Sequence, residues 1–301
     1  MIREISIASI LVLLVACGRH DFEDAQKLIA KKDYEHALPL LTAAATAGNP
    51  NAQLQLGSLY TTGGDVPLDY ARGIPWLTKA SEQGNAVAQV LLGNMYYLGM
   101  GVEVDYKKAI QLLDKSAAQN NVGAILMLGT MYHDGSGVPK DYSQARTYFE
   151  KAAQGNNADA LYALGVMYIN GEGVPQDFGK AIPYLEASAN RGSRLGQFSL
   201  GQIYFSGQGV PIDYAKSAGW FKKAADQGHD VAQFNLGVMY LEGRGVEKNV
   251  IEAHKWLNLA GAQGEKDAAP ARTALENEMS KDQIVQAQEA ARDWLAAHTR
   301  K

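Results

Sequence analysis

Cysteine is almost absent from this 301-residue chain. Cys17 is the only one, so no intrachain disulfide can form. Basic residues do not dominate either: 28 lysines and arginines stand against 32 aspartates and glutamates, for a net charge of -4. Without a basic stripe nothing releases counterions from a phosphate backbone, which argues against a nucleic-acid partner. Long apolar runs are missing. Ile5 to Ala16 spans about a dozen residues, short of the roughly 20 that a membrane-spanning helix needs. Ser-x-x-Lys, Lys-Thr-Gly, Gly-x-Ser-x-Gly and Walker patterns do not occur. The six histidines (His20, His36, His133, His229, His254, His298) are scattered and form no compact ligand set. Neither a metal nor another cofactor is expected, and an enzyme is not the expected class.

What is present is one phrase, Leu-Gly-x-x-Tyr, repeated six times. It runs through Leu56-Gly57/Tyr60, Leu92-Gly93/Tyr96, Leu128-Gly129/Tyr132, Leu164-Gly165/Tyr168, Leu200-Gly201/Tyr204 and Leu236-Gly237/Tyr240, always 36 residues apart. A fixed period of this size marks a stacked repeat array. A glycine inside a helix costs about 1 kcal/mol relative to alanine, so six at one phase imply a close neighbouring backbone or bulky group. Ala52, Ala88, Ala124, Ala160 and Ala232, with Gly196 in the remaining copy, lie five positions earlier and complete one apolar helical face. This is helix A of each repeat.

A glycine turn follows, as in Gly99/Gly101-Val102 and Gly207/Gly209-Val210, and it reverses the chain through positive φ. In the first copy Asp65 replaces the second glycine, and aspartate is expected to tolerate that conformation. Asp69, Asp105, Asp141, Asp177, Asp213 and Asn249 then sit where the second helix, B, needs an N-cap. One carboxylate per 36 residues cannot surround a calcium ion, so capping is the reading of this row. Helix B carries Trp76, Leu112, Tyr148, Tyr184, Trp220 and Trp256 at one phase, and Ala80, Ser116, Ala152, Ser188, Ala224 and Ala260 four positions later. Large against small is expected to form core. Pro39, Pro75 and Pro183 share a helix B phase past the first turn, which predicts a local bend or a late helix start.

The ends depart from the register. Residues 21–48 read as an N-terminal capping hairpin, 49–264 as six repeats of 36 residues, and 265–301 as a C-terminal helical cap. In that cap, Ser280 with Gln283 makes a capping box, and Ile284, Ala287, Ala291 and Trp294-Leu295 give one apolar face. Residues 1–17 read as an export signal. Its end, Leu14-Val15-Ala16-Cys17, resembles the lipobox of bacterial lipoproteins at all four positions. That resemblance implies lipidation of Cys17, and Gly18 in place of aspartate implies the outer membrane, facing the periplasm or the cell surface. Acyl chains would anchor the chain at roughly 0.8 kcal/mol per buried methylene.

The repeat as a whole resembles the Sel1-like repeat, a relative of the tetratricopeptide repeat, from Ala52 to Gly264 with a preceding half-repeat. The resemblance implies an all-α, α/α-hairpin solenoid, a right-handed superhelix whose concave groove binds protein segments. Some cysteine-rich relatives have been called β-lactamases, but those carry a disulfide in each repeat and this chain has none. A binding groove should vary where a frame does not. The columns after the helix A glycine vary in this way, and they supply the candidate groove residues Ser58, Asn94, Tyr97, Thr130, His133, Gln202 and Phe205. The expected function is a lipid-anchored envelope adaptor with protein partners. A surface lipoprotein that binds a host protein or another ligand is the alternative, followed by an envelope hydrolase.

Overall fold

Each repeat starts its two helices on side chains that accept hydrogen bonds from otherwise orphaned backbone N–H groups. The computed structural model describes residues 20–298, among which the chain is helical with no strand. Contacts gather in two compact units, one ending at Lys151 and one starting at Ala152. The first holds α1 (residues 20–30), α2 (Tyr34–Thr46), α3 (Pro50–Thr62), α4 (Tyr70–Glu82), α5 (Ala86–Leu98), α6 (Tyr106–Ala117), α7 (Val122–Asp134) and most of α8 (Tyr142–Gln154). The second holds α9 (Ala158–Asn170), α10 (Phe178–Asn190), α11 (Arg194–Ser206), α12 (Tyr214–Asp226), α13 (Asp230–Glu242), α14 (Val250–Ala262), α15 (Ala268–Glu276) and α16 (Lys281–His298). Each unit is an α/α-hairpin solenoid of alternating A and B helices.

The helix B caps are the expected ones. Asp69, Asp105, Asp177 and Asp213 each accept from the N–H three residues on, and Asp141 and Asn249 from those two and three on. Helix A has a second cap row that the sequence reading missed: Asn49, Asn85, Asn121, Asn157, Ser193 and His229. The prolines do not delay helix B. Helices α2, α4 and α10 start directly after Asp33, Asp69 and Asp177, in the register of the proline-free α6 and α12. Each proline lies on the exposed side, and so does the residue four back whose carbonyl loses its partner (Glu35, Ala71, Gly179), leaving that group to water.

The helix A glycines meet helix B as the spacing implies. A Cβ built on Gly165 would lie 2.7 Å from Leu185, on Gly201 2.5 Å from Phe221, and on Gly57 2.7 Å from Leu77. These partners, with Leu113, Phe149 and Leu257, are the large buried residues of helix B. The expected ring column is different. Trp76, Leu112, Tyr148, Tyr184 and Trp220 are only half-buried, and Trp256 alone among them is fully covered. The reason lies at the C-terminal end, where Trp294 of α16 packs edge-on against Trp256 at 6.0 Å. The reciprocal Ser280–Gln283 capping box forms as expected and starts α16.

The second turn glycine has a separate cause. A Cβ on Gly101, Gly137 or Gly209 would collide with Tyr70, Tyr106 or Phe178, the first residue of the preceding helix B. Asp65 does not take the positive φ expected of it; Gly63 and Gly64 carry that conformation instead. The matching aromatic, Tyr34, donates its hydroxyl to the Asp65 carboxylate at 2.9 Å rather than sitting under a glycine.

Buried polar groups tie neighbouring hairpins together. Gln89 is buried in α5, donates to Ser81 O at 3.2 Å and accepts from Gln119 Nε2 at 3.0 Å. Gln119 donates in addition to Gly84 O at 3.0 Å. Gln53 with Gln83, Gln197 with Gln227 and Gln233 with Gln263 form the same bridge. Ile125 and Leu161 stand at the buried phase in the remaining copies, where Gly155 and Arg191 replace the second glutamine.

Two outcomes are expected. Gly165→Ala should destabilise the chain by about 1–3 kcal/mol despite better helix propensity, because Leu185 must move. Gly219→Ala, in α12 with nothing within 4 Å of its new Cβ, should stabilise by up to about 1 kcal/mol. Denaturant unfolding of both variants checks the pair, and equal shifts would refute the packing account. For the glutamine bridge, a double-mutant cycle of Gln89→Ala and Gln119→Ala should give a coupling of at least about 0.5 kcal/mol. Strict additivity would remove it as a stabilising contact.

Candidate functional site

The seven groove candidates divide between the units. Ser58, Asn94, Tyr97, Thr130 and His133 lie on α3, α5 and α7 of the first unit, and Gln202 and Phe205 on α11 of the second. The column one after the glycine faces outward as expected: Ser58 and Asn94 are half-buried, Thr130 and Gln202 exposed. The column four after it does more than line a surface. Tyr97, His133 and Phe205 pack on the first ring of their own helix B, against Tyr106 at 5.6 Å and Tyr142 and Tyr214 at 5.3 Å. His133 also reaches Asp134 through Nδ1 at 2.7 Å. These three are part of the A–B interface, each with one edge left at the surface.

Two of the seven, Gln202 and Phe205, meet in a cavity. It measures about 500 Å³ and opens on the second unit, lined by Gln202, Phe205 and Ser206 of α11, Gln208 of the turn, Phe221 of α12, and Phe234, Asn235, Val238 and Met239 of α13. Phe221 and Met239 are buried and make its floor. Short polar side chains, Ser206 and Asn235, border the opening. They stand at the phases that carry Leu98 and Leu91 on α5 of the first unit. None of the lining side chains is charged. Helical phase in the sequence points to two of the lining residues and not to the rest, because the column that ends in Asn235 already mixes Gln55 and Ser199 with Leu91, Met127 and Ala163.

An ionisable cap lies at the start of α13. The His229 ring stacks on Phe198 at 4.2 Å, and Phe198 in turn touches the cavity-floor ring Phe221 at 5.8 Å. Nδ1 of His229 accepts from the N–H of Ala232 at 3.3 Å, a bond that a protonated ring cannot accept. Burial pushes this imidazole below its ordinary range, Asp230 opposes the shift and Arg194 adds to it. The folded chain therefore favours the neutral ring. Its contribution is present above the ordinary value of about 6.5 and is lost as pH falls through the depressed one. His229→Asn keeps the cap, so the drop in melting temperature between about pH 7 and about pH 5 should shrink relative to the parent chain. An unchanged drop would show that the cap does not titrate.

Among the described residues, no three or more His, Cys, Asp or Glu side chains gather as a metal site, and no helix is long and apolar enough to cross a membrane. Cys17 and its leader lie outside the described residues.

The sequence matches no curated protein. Among solved structures, a Sel1 repeat protein from Oxalobacter formigenes is 32% identical with a TM-score of 0.75, covering 80% of this chain and 99% of its own. The protein c5321, described as a protective antigen present in uropathogenic Escherichia coli strains, is 27% identical with a TM-score of 0.54, covering 94% of this chain and 68% of its own. The Sel1 repeat family model matches residues 28–49, 50–85, 86–121, 122–157, 158–193, 195–229 and 230–265. The partial first match coincides with the second half of the N-terminal hairpin. With the repeats, their glycine contacts and their caps in register with that model, this chain belongs to the Sel1 repeat family.

Proposed function

We propose that this chain is a lipid-anchored adaptor of the bacterial envelope that holds a protein partner on the outward face of its A helices. Sel1-repeat proteins are generally protein–protein interaction scaffolds and typically not enzymes. The observation that carries the reading for this chain is the uncharged cavity at Gln202 and Phe205, an apolar floor open to a partner on a frame of otherwise repeated contacts. Support for the anchor is the Leu14-Val15-Ala16-Cys17 tetrapeptide, and for the outer membrane Gly18. A second reading, display on the cell surface to bind a host protein or another ligand, draws on the likeness to c5321 and its description as a protective antigen.

Crosslinking in intact cells, with mass spectrometry of the captured chain, tests the adaptor. A reproducible envelope protein is expected, lost in Thr130→Arg or Gln202→Arg with melting unchanged, since both positions are exposed. No protein above background sinks the reading. Cys17→Ser should abolish incorporation of labelled palmitate and leave the repeats folded; a variant that still labels overturns the anchor. Protease shaving of intact cells separates the two orientations: cleavage supports surface display, and protection supports the periplasmic face.

A further inference from the structure

The cavity of the second unit has a hydrogen-bonding character that its apolar floor does not explain. Four glutamines of the same unit, Gln197, Gln227, Gln233 and Gln263, donate or accept within the inter-hairpin bridges. At the cavity, the side-chain amides of Gln202 and Gln208 are exposed and that of Asn235 is half-buried, so all three stand open to a ligand. Three amides therefore border a cavity with walls of Phe205 and Phe234 and a floor of Phe221 and Met239, with no charge among the lining residues.

Resting on the adaptor reading above, we infer that this cavity is a specificity pocket for an internal, extended segment of the partner. It takes one bulky apolar side chain with uncharged neighbours, and the amides of Gln202 and Asn235 pair with the segment's backbone. Each amide offers both a carbonyl acceptor and N–H donors, the complement of a peptide group. An extended chain presents such groups every 3.3 Å or so, on either side of the side chain it buries. A purely hydrocarbon occupant, such as an acyl chain, would cover the amides without satisfying them, at about 1–3 kcal/mol for each one buried. A carboxylate or ammonium would enter an uncharged apolar site with no counter-ion, which is more costly still. The absence of a cation in the lining also argues against capture of a terminal carboxylate. Phenyl edges and faces favour an aromatic, leucine or methionine anchor.

The test is selection from a random peptide library displayed on phage, panned against the full-length protein. The expected result is enrichment of sequences with one aromatic, leucine or methionine flanked by uncharged residues. Synthetic versions should bind equally well with a free or an amidated C-terminus. Val238→Trp, which fills the cavity, should abolish their binding. Asn235→Leu restores the residue type of Leu91 on α5 and should weaken binding about tenfold with no loss of melting temperature. Several outcomes overturn the inference: no enrichment, an acidic or C-terminal motif, binding unaffected by either variant, or dodecanoate binding in place of peptides. The adaptor reading fails separately. If Asn235→Leu still crosslinks the envelope partner in cells at the parent yield, the pocket assignment falls and the adaptor stands.

Discussion

The structure depends on how closely helix A can approach helix B. A hydrogen atom at Gly57, Gly93, Gly129, Gly165, Gly201 and Gly237 lets a leucine or phenylalanine of helix B lie against the A backbone. That contact brings the small residues of helix B, such as Ala80 and Ser188, into full burial. The same close contact recurs at each of these glycines. Stability in such an array is close to a sum of hairpin and neighbour terms, and the glycine contact sets the first of these.

The second glycine of the turn acts between hairpins rather than within one. Gly137 leaves room for Tyr106 and Gly209 for Phe178, so a turn settles over the first ring of the previous helix B. Tyr106 also receives Tyr97 from its own helix A, and Tyr214, which lies under Gly245, receives Phe205 in the same way. A single aromatic position thereby joins a hairpin internally and to its successor. The glutamine bridges add hydrogen bonds at the opposite end of the hairpins, where Gly48 O and Gly192 O each accept from the next repeat.

Most of the frame was legible in the sequence, because repetition compares one position with itself six times. The Leu-Gly-x-x-Tyr phase, the aspartate caps and the Ser280–Gln283 box each follow from local rules that need no knowledge of distant contacts. What was not legible depends on packing. Gln89 reads as a surface residue until Gln119, 30 positions later, is seen to satisfy it. His229 reads as a stray histidine because asparagine holds the cap elsewhere, and only an unprotonated ring serves there. Asp65 looked like a glycine substitute, whereas its use is to receive Tyr34. Gln202 and Phe205 follow from helical phase, but the cavity they share also takes in Ser206, Asn235 and the buried Phe221 and Met239, which come from three helices. A groove is a statement about what is missing between side chains, and a column of letters does not display empty volume.

Trp256 has a further consequence. It is the one member of its column sealed from water, and the seal is Trp294 of α16. The half-buried Trp220 one hairpin earlier shows what that surface looks like when another repeat follows. The array is therefore open to growth in its interior but not at its end. Duplicating one 36-residue unit between α12 and α13 would reproduce contacts already present and leave the terminus untouched. The same duplication placed after α14 would strand Trp294 against a hairpin not shaped for it. Length in this protein is adjustable from the inside, and its last helix acts as a stop.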